Sequence, residues 1–335
     1  MKQLVRSRPG FTLLELLIVI AIIALLIQML LPAIQASRES SRRIKCKNNL
    51  RQIGIALQAH LSANDRFPTG GWSSAWVGDA DRGYGVQQPG GWIYNLLPYL
   101  EATEIRDLGK KLAWEEKLIA HGRLQSAAMG VVNCPSRRDA SLYPNLKQWP
   151  LFNAVDSDVH GRTDYAANAG DVFDIPIPLI KDLKTYESVD LSTSAELSMR
   201  NATGVCFMRS SVRPRQVVDG LSKTYFVGEK YLSSRNYTTG QDNGDDSSMF
   251  QGHDFDTMRW TCKSINFNKR NFVIRAPYNG PRRDQEDPAT TCFGSAHSSG
   301  WNAVFCDGSV HTMDYDLDVE IHRRLGNRRD RFGLN

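Results

Sequence analysis

The chain opens on an unbroken apolar block and then changes character. From Phe11 to Ile34 the strongly polar side chains are Glu15 and Gln28 alone, and about 20 apolar residues in a helix cover a hydrocarbon core of roughly 30 Å. That block predicts a membrane span at about 11–34. Beyond it the apolar positions thin into a stripe, Ile44, Leu50, Ile53, Ile55, Leu57 and Leu61, near the spacing of an amphipathic helix. Phe67-Pro68-Thr69-Gly70-Gly71 stops the pattern with helix breakers. One long helix over 11–66 follows, apolar all round in its first half and one-sided in its second.

From residue 67 to 335 the pattern is that of strands and loops. Tyr225-Phe226-Val227 and Asn271-Phe272-Val273-Ile274 are short β-prone runs among Gly, Asn, Asp and Ser. The clearest hairpin is WNAVFC-DG-SVHTM, whose Asp307-Gly308 pair suits a type I′ turn. The longest loops are expected at 78–91 and 233–256. The fold class is α+β: a long N-terminal transmembrane and amphipathic helix packed on a predominantly antiparallel β domain.

Charge alters this picture in one place. The net charge is +5, and residues 38–51 hold Arg38, Arg42, Arg43, Lys45, Lys47 and Arg51 against Glu39. Arg323, Arg324, Arg328, Arg329 and Arg331 form a second basic group. No nucleic-acid-binding motif accompanies either, so nucleic acid is not an expected partner. The first group directly follows the span, where lipid headgroups or neighbouring subunits are the simpler contacts. It also argues against a cytoplasmic N-terminus, whereas Lys2, Arg6 and Arg8 favour one.

Glu15 is the residue that an ordinary anchor does not explain, since a charge inside a span costs roughly 3 kcal/mol or more. The residues before it, RSRPG-FTLLE, resemble the class III signal of type IV pilins and type II secretion pseudopilins. That resemblance implies cleavage between Gly10 and Phe11 by a prepilin peptidase on the cytoplasmic side, which sets the orientation. It also implies methylation of the Phe11 amine, and pairing of Glu15 with the terminal amine of a neighbouring subunit. Residues 1–10 are then a leader. Pro32 should kink the helix or loosen it locally.

A second resemblance covers nearly the whole chain. CKNNLRQIGIALQAHLSANDRFPTG, GGWIYNLLPYLE, VNCPS, TDYAANAGD, VVDGLSKTYFVGEKY and FGSAHSSGWNAVFCDGSVHTM occur in that order. Together they are similar to a planctomycete family of pilin-like proteins, DUF1559, marked by a terminal His-X9-Asp-Gly signature. Here the signature residues are His297, Asp307 and Gly308. The chain departs from that pattern in LGNRRDRFGLN and at 234–262. The resemblance implies a pilin-like fold but names no activity.

Four groups of residues carry candidate chemistry. His297 and Asp307 would form a catalytic dyad if a nucleophile stood near, and Ser295, Ser298, Ser299 and Ser309 are available. A histidine bonded to loop backbone and an aspartate placed for its turn account for both without a reaction. Asp242, Asn243, Asp245 and Asp246 make an oxygen-rich run that suits Ca²⁺, yet EF-hand spacing and a closing glutamate are missing. A solvated acidic loop is the expectation there, with calcium at Asp242, Asp245 and Asp246 as the alternative. Trp72, Trp76, Tyr84, Trp92 and Tyr94 suit either stacking on a ligand or packing in a core.

The six cysteines, Cys46, Cys134, Cys206, Cys262, Cys292 and Cys306, contain no C-x-x-C pair, which disfavours zinc. In an exported domain disulfides are the expectation, and six cysteines allow fifteen pairings. Cys46 and Cys134 lie in the family-like segments CKNNL and NCPS, which points to them as the first pair. Cys262 with Cys292 is the second. The resulting reading is a single-pass inner-membrane protein with an extracytoplasmic C-terminal domain, not an enzyme. It acts as a structural subunit or assembly factor among pilin-like subunits or copies of itself, without a cofactor. The alternatives are a surface-anchored glycan- or peptide-binding protein, and a hydrolase using His297 and Asp307.

Overall fold

The computed structural model describes residues 12–146, 150–173, 201–262, 265–269, 272–276, 280–287 and 289–331. The chain divides into two compact units, Met1–Ile44 and Lys45–Asn335. The division falls inside α1 (Leu13–Asn64), a continuous helix that contains Pro32. Gly10 and Phe11, the expected processing site, lie outside the described residues.

In the first unit α1 is apolar and bare. From Leu13 to Ile34 every side chain is exposed, and Glu15 is the single charged residue. Leu14, Ile18, Ile22, Leu26 and Leu30 are among its exposed side chains. The basic residues that follow begin with an ion pair, Arg42 to Glu39 at 2.8 Å.

The second unit begins where α1 acquires a buried face. Cys46, Asn49, Leu50, Ile53, Gly54, Ala56, Leu57 and His60 are buried, at steps of three and four. The apolar stripe read from the sequence is corrected at two positions. Ile44 and Ile55 are exposed, at 58% and 70%, because the buried face passes through small and polar residues that an apolarity count overlooks. Short helices follow, α2 (Trp92–Leu96), α3 (Thr103–Arg106) and α4 (Trp114–Gln125), and α5 (Val319–Gly326) closes the body.

The strands are β1 (Leu142–Pro144), β2 (Val159–Gly161), β3 (Tyr165–Gly170), β4 (Tyr225–Glu229), β5 (Met258–Trp260), β6 (Ile265–Lys269) and β7 (Phe272–Ala276). Then come β8 (Arg282–Arg283), β9 (Gly294–Ser295), β10 (Trp301–Phe305) and β11 (Val310–Met313). Five of them build the central sheet in the order β11-β10-β4-β3-β5, antiparallel except for the parallel β3 and β5 pair. The sheets are thus mostly antiparallel, as the sequence pattern implies.

Both faces of the sheet are covered. Phe226, Val304 and Cys306 join one core with Leu50, Ile53, Ala56 and Leu57 of α1 and Trp92, Ile93, Leu96 and Leu97 of α2 and the turn after it. On the other face Tyr225, Trp301, Ala303 and Phe305 pack with Phe293 and with Leu325 of α5. Residues 301, 303 and 305 therefore face one way and 304 the other, the period of two expected of a strand.

The β10-β11 hairpin closes differently from the expected type I′ turn. Gly308 N donates to Phe305 O at 2.9 Å, Phe305 N donates to Ser309 O at 2.9 Å, and Gly308 takes the left-handed backbone at φ 84°. Asp307 does not, so the pattern is a turn followed by a glycine bulge, the three-residue hairpin. Its tip rests on α1. A Cβ at Gly54 would stand 2.5 Å from Gly308 O, and Gln58 Nε2 donates to Cys306 O at 3.1 Å.

Candidate functional site

Four elements far apart in sequence converge at one end of this hairpin. Cys46 comes from α1, Cys134 from the loop after the turn Gly130–Val132, Glu229 from the end of β4, and His297 from the loop between β9 and β10. One ligand atom from each, two thiol sulfurs, a carboxylate oxygen and an imidazole nitrogen, lie within 4.8 Å of one another. His297 Nε2 stands 3.7 Å from Cys134 Sγ and 3.4 Å from Glu229 Oε1. All four residues are buried. Among the described residues this is where three or more such side chains gather closely enough to share an ion.

Each side chain is held by its own neighbours. Asn302 fixes the other oxygen of Glu229, its backbone N–H donating at 2.7 Å and its side-chain amide at 3.1 Å to Oε2. Oε1 is buried and faces the cluster, with His297 Nε2 beside it. The Cys134 loop is tied to α1 by Asn49, whose amide donates to Gly130 O at 3.1 Å and Asn133 O at 2.9 Å. Cys134 N donates to Asp164 Oδ2 at 2.7 Å. Tyr315 Oη donates to His297 O at 2.7 Å.

Beneath the loop lies a buried charge network that sets its shape. Arg138 meets Asp164 at 2.8 Å and Asp245, and Lys230 meets Asp245 at 3.0 Å. Arg137 meets Asp284 at 2.7 Å. Arg138 and Lys230 together hold Asp245 far below the usual carboxylate range, against the penalty of its burial. Such pairs are costly to break, because the surviving partner is left buried and uncompensated.

The cluster's own protonation follows from its closeness. Burial opposes a charged imidazole at His297, but hydrogen bonding to Cys134 and to Glu229 outweighs it and pushes the pKa up to about 10. Hydrogen bonding with Cys46, together with burial, pushes the Cys134 thiol well above its ordinary value. Without an ion, Cys134 is a protonated thiol and a poor nucleophile.

The sequence-derived candidates are distributed as follows. Cys46 and Cys134 are brought together, but no bridge joins them, and none joins Cys262 to Cys292. His297 enters the cluster, while Asp307 sits exposed at the hairpin tip and accepts from Ser309 N at 2.9 Å and Ser309 Oγ at 2.6 Å. Glu229 was not singled out by sequence, although it lies within VVDGLSKTYFVGEKY.

The solvated acidic loop is corrected: Asp242, Asp245 and Asp246 are buried. Asp242 accepts from Ser233 N at 2.8 Å and Gly244 N at 3.0 Å. With Asp245 committed to Arg138 and Lys230, protein donors already occupy two of the three oxygen groups offered to calcium. Trp72, Trp76, Trp92 and Tyr94 are buried and Tyr84 half-buried, so packing accounts for the aromatic group. Part of the second basic group is spent internally: Arg323 pairs with Asp171, Glu320 and Asp330, and Arg328 donates to Ala202 O and Gly204 O.

Glu15 has a partner within its own helix. Its Oε2 accepts from Thr12 N at 2.9 Å and Thr12 Oγ1 at 2.8 Å, and Glu15 N donates back to Thr12 Oγ1 at 3.2 Å. This is a capping box, Thr-x-x-Glu at the start of a helix.

The comparisons bear on both ends of the molecule. Residues 35–320 match the model of the family described as protein of unknown function (DUF1559). The chain belongs to the DUF1559 family. Residues 5–30 match the prokaryotic N-terminal methylation motif. No curated protein and no solved structure matches significantly. The N-terminal match makes this DUF1559 protein pilin-like in its processing signal, and the long apolar helix found among the described residues fits membrane anchoring.

Proposed function

We propose that this DUF1559 protein is a pilin- or pseudopilin-like structural subunit or assembly factor, anchored in the inner membrane with its β domain extracytoplasmic. The observation that carries the reading is the coincidence of the methylation motif at 5–30 with a helix whose apolar stretch, Leu13 to Ile34, is exposed throughout. Such a helix requires lipid or the helices of neighbouring subunits, since exposed apolar surface of this extent is unfavourable in water. The prepilin peptidase is the implied first partner, and other pilin-like subunits or copies of this chain the second. No catalytic role is needed: Asp307 serves its turn and Cys134 is a protonated thiol.

Intact-mass analysis of the chain expressed with and without a prepilin peptidase tests the reading. The expected product begins at Phe11 with a methylated amine, and only when the peptidase is present. A chain that keeps Met1 in the presence of an active peptidase would overturn it.

A further inference from the structure

We propose that Cys46, Cys134, Glu229 and His297 form a structural zinc site that fastens α1 to the β domain. Zinc binds thiolate sulfur at about 2.3 Å and imidazole nitrogen or carboxylate oxygen at about 2.0–2.1 Å, so a tetrahedral site has edges of about 3.3–3.8 Å. The two recorded edges, 3.7 Å between Cys134 Sγ and His297 Nε2 and 3.4 Å between that nitrogen and Glu229 Oε1, already have this size. All four ligand atoms fall within 4.8 Å, so only a small contraction separates the cluster from coordination.

The donor set selects the ion. Two soft thiolates with an imidazole suit zinc, whereas calcium and magnesium prefer oxygen alone. Four protein ligands fill a tetrahedron and leave no open position, the mark of a structural rather than a catalytic site. Glu229 is oriented for the role, with Oε2 held by Asn302 and Oε1 buried, facing the cluster 3.4 Å from His297 Nε2. A bond to an ion would compensate the buried charge of that oxygen, which a Cys46–Cys134 disulfide would not do. Carboxylates held in this way are typical of metal ligands.

Placement gives the site its purpose. Cys46 is the first buried residue of α1, and its three partners come from three other segments of the body. Zinc would therefore crosslink the start of the packed half of the helix to β4 and to the loops around residues 134 and 297. This role is independent of whether the chain forms a filament.

The test uses the full chain purified in detergent from membranes without added metal. One zinc per chain is expected, reduced to background in Cys134→Ser and His297→Ala and retained in Cys206→Ser, a buried cysteine outside the cluster. Because the first two variants could unfold, Glu229→Gln supplies a gentler probe. It should keep the parent's circular dichroism and lower zinc affinity about tenfold or more in competition with a chromophoric chelator. Cobalt loaded in place of zinc should give the parent a thiolate charge-transfer band and tetrahedral visible absorption. The proposal fails if the parent holds no stoichiometric zinc, or if Cys134→Ser binds as much as the parent. It fails equally if peptide mapping finds Cys46 and Cys134 disulfide-linked in the membrane-derived chain.

Discussion

The two halves of α1 make opposite demands on their surroundings. From Leu13 to Ile34 the helix is apolar but for Glu15 and Gln28, and its side chains are exposed. From Lys45 onward it is far more polar, yet one stripe is buried from Cys46 to His60, including Asn49. Composition thus tells which half needs an outside partner, and geometry tells which half is a piece of the core. The same substitution should therefore have different consequences on the two sides of the boundary.

The largest difference is expected for leucine truncation. Leu57→Ala opens a hole between α1 and the sheet and should cost about 2–5 kcal/mol in denaturant unfolding of the body. Leu26→Ala, in the exposed half, should leave that transition unchanged within about 0.5 kcal/mol. Equal effects from the two would mean that the first half also packs on the body, and the comparison would collapse.

Acidity separates the halves next, because the body buries histidines and the exposed half contains none. Burial lowers the pKa of His60, His160 and His253 to about 4 and that of His322 to about 3, from 6.5. A depressed histidine resists protonation in the fold, so the unfolded chain takes up the proton first. The stability is complete above pH 6.5 and is lost as pH falls toward 4. For His322 alone the loss between pH 7 and 4.5 is about 3 kcal/mol. Asp254, raised to about 7 chiefly by its burial, acts in the opposite direction over the same window, so the total slope is a net effect. The clean measurement is a difference: His322→Phe, within a cage of Tyr225, Phe293 and Trp301, should flatten the parent's slope by that amount. An unchanged slope would show that His322 is solvated in the native state.

A closer contact sharpens the boundary further. Gly54→Ala places a methyl carbon 2.5 Å from Gly308 O, which forces the hairpin tip and helix apart at a cost of about 1–3 kcal/mol. Alanine is otherwise the better helix former by roughly 1 kcal/mol, so a stabilised variant would mean that the tip does not rest there.

What could be read from the sequence follows the same division. The apolar block, the helix stop near Phe67, the β4 run and the β10-β11 hairpin were legible because each is a local pattern of period or breaker. The buried face of α1 was read only in part, since Cys46, Asn49, Gly54 and His60 are chosen by close approach and hydrogen bonding rather than by apolarity. The acidic run looked solvated because its compensating cations, Arg138 and Lys230, are distant in sequence. The cysteine and histidine cluster escaped for a related reason. Its four members are separated by 88, 95 and 68 positions (134−46, 229−134 and 297−229), a spacing that no short ligand motif contains. Only Cys46 with Cys134 was suggested, and that through resemblance.

The smallest effect concerns Glu15, whose capping of α1 and proposed attraction to a neighbour's amine make different predictions. Thr12→Val removes the hydroxyl that completes the capping box and should weaken the helix start by about 1 kcal/mol or less, while the Glu15 carboxylate survives. Subunit crosslinking along α1 should then persist near the parent level. Glu15→Gln keeps the size of the side chain and part of its capping ability but removes the charge, so crosslinking should fall severely if an ion pair in a low-dielectric interior sets the register. The informative quantity is the ratio of the two variants in one crosslinking experiment. If both lose crosslinks to the same extent, Glu15 acts only as a cap and attraction to a neighbouring amine is not what aligns the exposed half of α1. If Glu15→Gln alone fails, the carboxylate serves its own helix and a neighbouring chain at once.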